Sequence, residues 1–170
     1  MTRKPERTEA AAYYFKYIDR VGEGDVVALL STQMEETTRL LAPITEEKSL
    51  YRYAADKWSL RQTLSHVTDT ERLFLFRAFW FARKLEAPLP SFDQDVAAAA
   101  AGADDVAWAA HVEDFRTVRA SALSFFRGLP QEAWTRMGIA SDNPFSVRAL
   151  AYIIAGHADH HAAIVRERYL

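Results

Sequence analysis

The sequence predicts an all-α fold, a four-helix bundle of the up-and-down type with long connections between its helices. Four long segments repeat apolar residues at three- and four-residue steps, which is the period of an α-helix. No stretch shows the apolar–polar alternation that is typical of a half-buried β-strand. The chain contains neither an internal repeat nor a domain boundary, so residues 1–170 are expected to form one domain.

Helix-starting and helix-stopping residues bound each segment. The predicted helices cover residues 25–42, 59–84, 104–127 and 146–168. Each begins at a residue that can cap a helix, in chain order Asp25, Ser59, Asp104 and Ser146. Gln62 follows Ser59 at the spacing of a capping box. The first three helices are ended by Pro43, Pro88 and Gly128.

Shorter features lie between these helices. The aromatic cluster at residues 13–17 is expected to pack against the bundle, and the alanine run at residues 97–101 is expected to form a short helix. A helical turn at residues 132–134 and a loop through residues 143–144 should lead into the fourth helix.

Composition excludes several classes of function. Lys and Arg total 21 against 23 for Asp and Glu, so the formal charge of −2 gives no basic surface for nucleic acid or anionic membranes. The absence of cysteine excludes disulfides, thiolate metal ligands and cysteine nucleophiles. No signal core or membrane-spanning run is visible, so we expect a soluble, cytoplasmic protein.

Histidines lie on the apolar stripe of the fourth predicted helix. His157 and His161 are one turn apart on the stripe that contains Leu150 and Ile154, whereas His160 lies about 100° away from His161. Residues four apart on a helix can bind one metal ion, but histidines on an apolar face are also commonly packing residues. His66, on the second helix, could border the same interior. Both interpretations are open from the spacing alone.

Two motifs resemble those of the DinB-like (DinB/YfiT-type) superfamily of four-helix metalloproteins. Residues 58–71, WSLRQTLSHVTDTE, are similar to its second-helix motif, and residues 147–161, VRALAYIIAGHADHH, are similar to its fourth-helix motif. The resemblance extends over nearly the whole chain. It implies a three-histidine site formed by His66, His157 and His161 that binds one divalent ion, nickel, zinc or iron in relatives. His160 does not match a ligand position.

The resemblance also implies a class of chemistry. Three imidazoles leave an open position on the metal, which could activate water, polarise a carbonyl or hold a thiolate. Some DinB-like relatives transfer groups to low-molecular-weight thiols, and such a thiol would have to arrive as a co-substrate here. We therefore expect a metal-dependent thiol S-transferase or a hydrolase acting on a small molecule, in a protein that forms a homodimer as relatives often do.

Candidates for a supporting acid or base are few. Asp69, one turn after His66, could hydrogen-bond an imidazole or could be an exposed helix residue. Glu71 and Asp159 are interpreted as solvated charges, and His111 as a solvent or packing histidine.

Two other functions remain open. A non-catalytic stress-response or ligand-binding bundle could use the same metal for structure. A helical protein-interaction module is compatible with exposed aromatic residues at positions 13–17.

Overall fold

The four-helix bundle predicted from the sequence is confirmed by a computed structural model that describes residues 3–170. Its helices are α1 (Phe15–Ile18), α2 (Val26–Leu41), α3 (Leu60–Ala82), α4 (Gln94–Ala100), α5 (Trp108–Arg127) and α6 (Val147–Ile164). The long helices α2, α3, α5 and α6 are the four that the apolar period predicts. The aromatic cluster forms α1 and the 3₁₀ turn before it, and the alanine run lies mostly in α4, so both of those predictions are confirmed.

Side-chain caps begin three of the long helices as predicted. The Asp25 carboxylate accepts from a backbone N–H of the first turn of α2 at 3.2 Å. At α3 the Ser59 hydroxyl accepts from the Gln62 N–H at 3.0 Å, while Gln62 Oε1 accepts from the Ser59 N–H at 3.1 Å. Ser146 accepts from a backbone N–H of α6 at 3.0 Å. These bonds satisfy donors that have no partner within the helix.

The prediction that Asp104 caps the third long helix is wrong. Helix α5 begins four residues later, at Trp108, and its N-cap residue makes no side-chain hydrogen bond. Asp104 lies in a separate 3₁₀ turn, where its carboxylate accepts from the Ser59 hydroxyl and from Arg52 Nη2, the latter at 2.6 Å. Asp104 therefore ties this turn to the start of α3.

The prediction of an irregular loop before the last helix is also wrong, because this segment forms a β-hairpin. The two antiparallel strands are β1 (Met137–Ala140) and β2 (Asn143–Ser146). Ser141 and Asp142 form the two-residue turn with positive φ angles of 52° and 57°, as a type I′ turn requires. The sequence lacks the Asn-Gly pair that usually marks such a turn, and each strand has only four residues.

The long connections determine the order of the helices around the bundle. Helix α3 packs against α5 and α6, and α2 packs against the same two helices. The order around the bundle is therefore α2, α5, α3, α6. Helices α2 and α3 lie diagonally across it, as do α5 and α6, so the connections between these pairs must cross an end of the bundle. Within residues 3–170, none of the helices combines the length and apolar character needed to cross a bilayer.

The interior consists of two apolar clusters separated by polar side chains. One cluster includes Leu30, Phe74, Ala122 and Ala155, and the other includes Leu41, Val67, Phe115 and Ala158. At the level where each long helix passes from one cluster to the other lie side chains that we call the polar layer: Gln33, His66, Glu71, Arg119, His157, Asp159 and His161. Buried polar side chains need hydrogen-bond, ionic or metal partners. The polar layer is therefore the part of the interior where a functional site is expected.

Candidate metal centre

Three histidines of the polar layer meet between α3 and α6. His66 Nε2 lies 3.2 Å from His157 Nε2, and the ring centre of His161 is 5.1 Å from that of His66 and 4.5 Å from that of His157. One nitrogen from each ring falls within 4.8 Å of the other two. The one-turn spacing on α6 aligns two of the rings, and the packing of α3 against α6 supplies the third.

Burial keeps the three imidazoles neutral at neutral pH. It lowers the pKa of His66 to about 4, although nearby carboxylates act in the opposite direction. It also lowers the pKa of His161 to about 3 and that of His157 well below its ordinary value, with the neighbouring histidines adding to both shifts. A neutral imidazole has the free lone pair that metal coordination needs.

The donor set fits a divalent transition metal. Zinc–nitrogen bonds of 2.0–2.1 Å place two ligands of one tetrahedral ion roughly 3.3 Å apart, close to the separation of the His66 and His157 nitrogens. His161 Nδ1 is buried and has no hydrogen-bond partner within residues 3–170. An unpaired buried nitrogen beside two other imidazoles is readily explained if the group is a ligand or supports one.

Aromatic rings fix two of the histidines from outside the cluster. The Trp58 ring lies against His66 with a centroid separation of 4.8 Å, and the edge of Tyr17 packs on His157 at 5.2 Å. Thr70 Oγ1, one turn after His66, is 3.5 Å from His66 Nδ1. The rings restrict the orientation of the imidazoles, as an effective metal site requires.

The other histidines lie outside this cluster. His160 is half-buried and packs against the rings of Tyr17 and His161, at 5.7 Å and 5.1 Å between centroids. His111 is buried, and its Nε2 lies 2.8 Å from the carbonyl oxygen of Ala103. His111 is thus a packing histidine, which is one of the two roles expected for it.

Asp69 lies on the partly exposed side of α3. Its carboxylate accepts a hydrogen bond from Arg72 Nη1 at 2.8 Å, and Arg72 also pairs with Asp114 on α5. Asp69 is near enough to His66 for its charge to raise the pKa of that histidine. The geometry favours the exposed-helix interpretation of Asp69 over a direct hydrogen bond to an imidazole.

The prediction that Glu71 is a solvated charge is wrong. Glu71 is buried and accepts two hydrogen bonds from the fully buried Arg119, at 2.6 and 2.9 Å. Arg119 Nη1 donates to Gln33 Oε1 at 2.8 Å, and Gln33 Nε2 donates to Asp159 at 2.6 Å. These bonds connect all four long helices. Nothing in the local spacing of Glu71 and Arg119 indicates the pairing, since they are 48 residues apart.

Two of the cavities that border the three histidines are large enough for a small molecule. A cavity of about 250 Å³ is lined by His66 and His157, together with Tyr14, Tyr17, Phe74 and Arg77. A second cavity, of about 190 Å³, reaches His161 and is lined by Trp58, Lys57 and Tyr169, none of which lines the first. The three histidines are therefore accessible to small molecules through two separate cavities.

Sequence reasoning missed Tyr17 and Arg77 as residues of this region. Arg77 follows His66 by eleven residues, three turns along α3, and both lie in the wall of the larger cavity. The helical spacing from His66 could therefore have identified Arg77 from the sequence. The position of Tyr17 could not have been identified in this way, because it depends on how α1 packs against α6.

Residues 29–165 match the DinB superfamily. This chain belongs to the DinB superfamily. The match includes both histidine-containing motifs and all four long helices, apart from the first residues of α2. No curated protein sequence matches the chain.

Two solved structures share the DinB fold of this chain. One is YfiT from Bacillus subtilis, described as a probable metal-dependent hydrolase with an unusual four-helix bundle topology. Its TM-score is 0.70 at 14% identity, covering 96% of this chain and 90% of that one. The other is the mycothiol-dependent maleylpyruvate isomerase, with a TM-score of 0.71 at 11% identity, covering 86% of this chain and 61% of that one. At these identities the likeness establishes the fold.

Proposed function

We propose that this protein is a divalent-metal-dependent enzyme acting on a small molecule, with His66, His157 and His161 as the metal ligands. The observation that carries the proposal is the convergence of three neutral imidazoles within 4.8 Å beside an open cavity. Three protein ligands and access for a further ligand are typical of catalytic rather than structural sites. Membership of the DinB superfamily and the likeness to YfiT support the same conclusion.

The protein's own groups would position and orient the reactants. The bound ion would act as a Lewis acid at the inner end of the larger cavity. Tyr14 and Tyr17 line that cavity, and burial raises the pKa of both phenols. Both hydroxyls therefore stay protonated and can donate hydrogen bonds to a ligand. Phe74 lines the same cavity, and Trp58 packs on His66, so apolar rings would limit the water around the reacting groups.

The reaction would be a thiol-dependent transfer or a hydrolysis. Two cavities that border one set of histidines give room for two reactants, which supports transfer to a low-molecular-weight thiol. The chain has no cysteine, so that thiol would be a co-substrate. The solved relatives point both ways, since one is described as a probable hydrolase and the other as mycothiol-dependent.

Metal analysis of protein purified without a polyhistidine tag tests the ligand set. We expect one nickel, zinc or iron ion per chain in the wild type and in His160→Ala, and loss of that ion in His161→Ala. The two variants remove neighbouring imidazoles of the same helix, so the pair separates a ligand from a bystander. A wild-type metal content at background, or equal loss in both variants, would contradict the assignment.

Turnover tests the catalytic part of the proposal. Metal-loaded wild type is assayed with ester and amide substrates, and with electrophiles in the presence of small thiols. His66→Ala, which lacks one proposed metal ligand, is assayed in parallel as the negative control. Metal-dependent turnover that is lost in His66→Ala is expected. A protein that binds one ion yet turns over nothing across the panel would instead favour a non-catalytic, metal-stabilised bundle.

We also retain a homodimer as a proposal, supported by the family resemblance. Sedimentation velocity of the untagged protein should give a mass of twice 19.3 kDa. A single boundary at the monomer mass over the micromolar range would reject it.

A further inference from the structure

Arg77 is a buried cation without an anionic partner. Its side chain lies in the interior, with 2% of the residue exposed. Nη2 donates to the carbonyl oxygen of Pro90 at 3.0 Å and to the hydroxyl of Ser141 at 2.9 Å, whereas Nε is buried without any partner. Among the ion pairs of residues 3–170, none includes Arg77.

The other buried arginines are neutralised. Arg119 is paired with Glu71, and Arg61 is paired with Glu46. Burying a guanidinium is costly unless a carboxylate compensates its charge, so Arg77 is the exception among the described residues. Burial lowers the pKa of Arg77 below its ordinary value, in agreement with an uncompensated charge. An anion that binds beside Arg77 would supply the missing partner.

The surroundings of Arg77 suit an anion that enters through the larger cavity. His66, Thr70, Phe74 and Arg77 follow one another along α3 and all line that cavity, with His66 and Arg77 at positions about 16 Å apart along the helix axis. The hydroxyls of Tyr14 and Ser141, which line the same cavity, both hydrogen-bond the Arg77 guanidinium. Each accepts from Arg77 and keeps its own proton to donate to an anion. The cavity thus has Arg77 at one end and the histidines at the other, with Phe74 and Thr70 between them on α3.

We propose that the larger cavity binds a small organic acid, with its carboxylate held by Arg77 and its other end directed toward His66 and His157. A single guanidinium matches the charge of one carboxylate, and its planar fork matches the geometry of that group. The placement of the reacting end rests on the proposed function, whereas carboxylate binding by Arg77 does not.

A thermal-shift and calorimetric titration of the metal-free protein tests the carboxylate site, because without the metal the ligand cannot bind to the ion. The probes are hexanoate and hexanamide, which have the same chain length, and inorganic phosphate at matched ionic strength. Hexanoate should raise the melting temperature of the wild type, since it binds the native state, and hexanamide should not. The proposal would be overturned if hexanamide stabilised the protein as much as hexanoate does. It would also be overturned if phosphate stabilised the protein and hexanoate did not.

Substitutions of Arg77 test whether this residue binds the carboxylate of hexanoate. Arg77→Met should weaken hexanoate binding at least about tenfold. Arg83→Met, the same substitution at an exposed position just after α3, should leave it unchanged. Arg77→Lys keeps the charge without the fork and should bind with intermediate affinity, which covers the case that Arg77→Met does not fold. Equal affinity in the wild type and in every Arg77 variant that folds would place the carboxylate elsewhere.

The two proposals fail separately. A protein that purifies without metal but still binds hexanoate through Arg77 keeps the carboxylate site and loses the metal-dependent enzyme. A protein that holds one ion per chain but does not respond to hexanoate keeps the proposed metal site and loses the carboxylate site.

Discussion

Gly156 of α6 lies directly against the backbone of Tyr17 in α1. A Cβ atom at Gly156 would be only 2.0 Å from the carbonyl oxygen of Tyr17. The missing side chain therefore allows α1 to dock against α6, where the Tyr17 ring covers His157 and His160. One glycine thus connects the packing of the N-terminal segment to the wall of the candidate site.

Gly156→Ala should destabilise the protein and displace α1. The clash is with backbone rather than with a flexible side chain, so we expect a loss of about 1–3 kcal/mol in the free energy of unfolding. Urea denaturation measures it. Gly22→Ala is the control, because a Cβ there meets nothing within 4 Å. Equal midpoints for wild type and Gly156→Ala would show that α1 does not pack as described.

The stability of the metal-free protein should fall as the pH falls below about 6.5. The native pKa values of His66 and His161 are lowered to about 4 and about 3, so between those values and 6.5 the unfolded chain binds more protons. Their contribution is complete above pH 6.5 and is lost toward pH 3–4. One pKa unit corresponds to about 1.4 kcal/mol, so His66 alone gives roughly 3 kcal/mol.

Urea titrations at pH 7, 6, 5 and 4.5 measure this dependence, and His66→Gln should show a shallower slope than the wild type. A wild-type stability that does not change between pH 7 and pH 5 would contradict the burial of neutral imidazoles.

Breaking the Glu71–Arg119 pair should be among the most damaging changes in the bundle. Arg119→Met leaves a buried carboxylate without its partner, which typically costs about 3–5 kcal/mol. The double variant Glu71→Leu/Arg119→Met removes both charges and should recover much of that loss. Arg116→Ala, which breaks an exposed pair with Glu113, should cost at most about 1 kcal/mol.

Denaturant midpoints of the four proteins form the comparison. If Arg119→Met were as mild as Arg116→Ala, the buried network between the helices would not exist in solution.

Asp69→Asn should leave metal content and turnover close to the wild-type values. Its carboxylate is partly exposed and bonds to Arg72, so removal of the charge affects a surface pair. Metal analysis and the thiol and hydrolase assays provide the measurement. A loss of turnover with metal retained would instead assign Asp69 a role as acid, base or hydrogen-bond acceptor for His66.

Local features of the sequence were sufficient to predict the four long helices and part of the candidate site. The 3.6-residue period predicts the four long helices, and Asp25, Ser59 and Ser146 mark three of their starts. The same period places His157 and His161 on one face. These inferences succeed because an α-helix is defined by contacts between residues three or four apart, so neighbours in the sequence are enough.

Only the tertiary structure decided the relationships that join distant segments. It placed His66 against α6, gave Glu71 a buried partner, moved Asp104 from the start of α5 to a contact with Ser59, and left Arg77 without a carboxylate. A charged residue looks the same in the sequence whether it faces water or a partner 48 positions away. The outcome depends on which helices pack together, and the order of the bundle is fixed by its long loops and by the sum of many weak packing contacts.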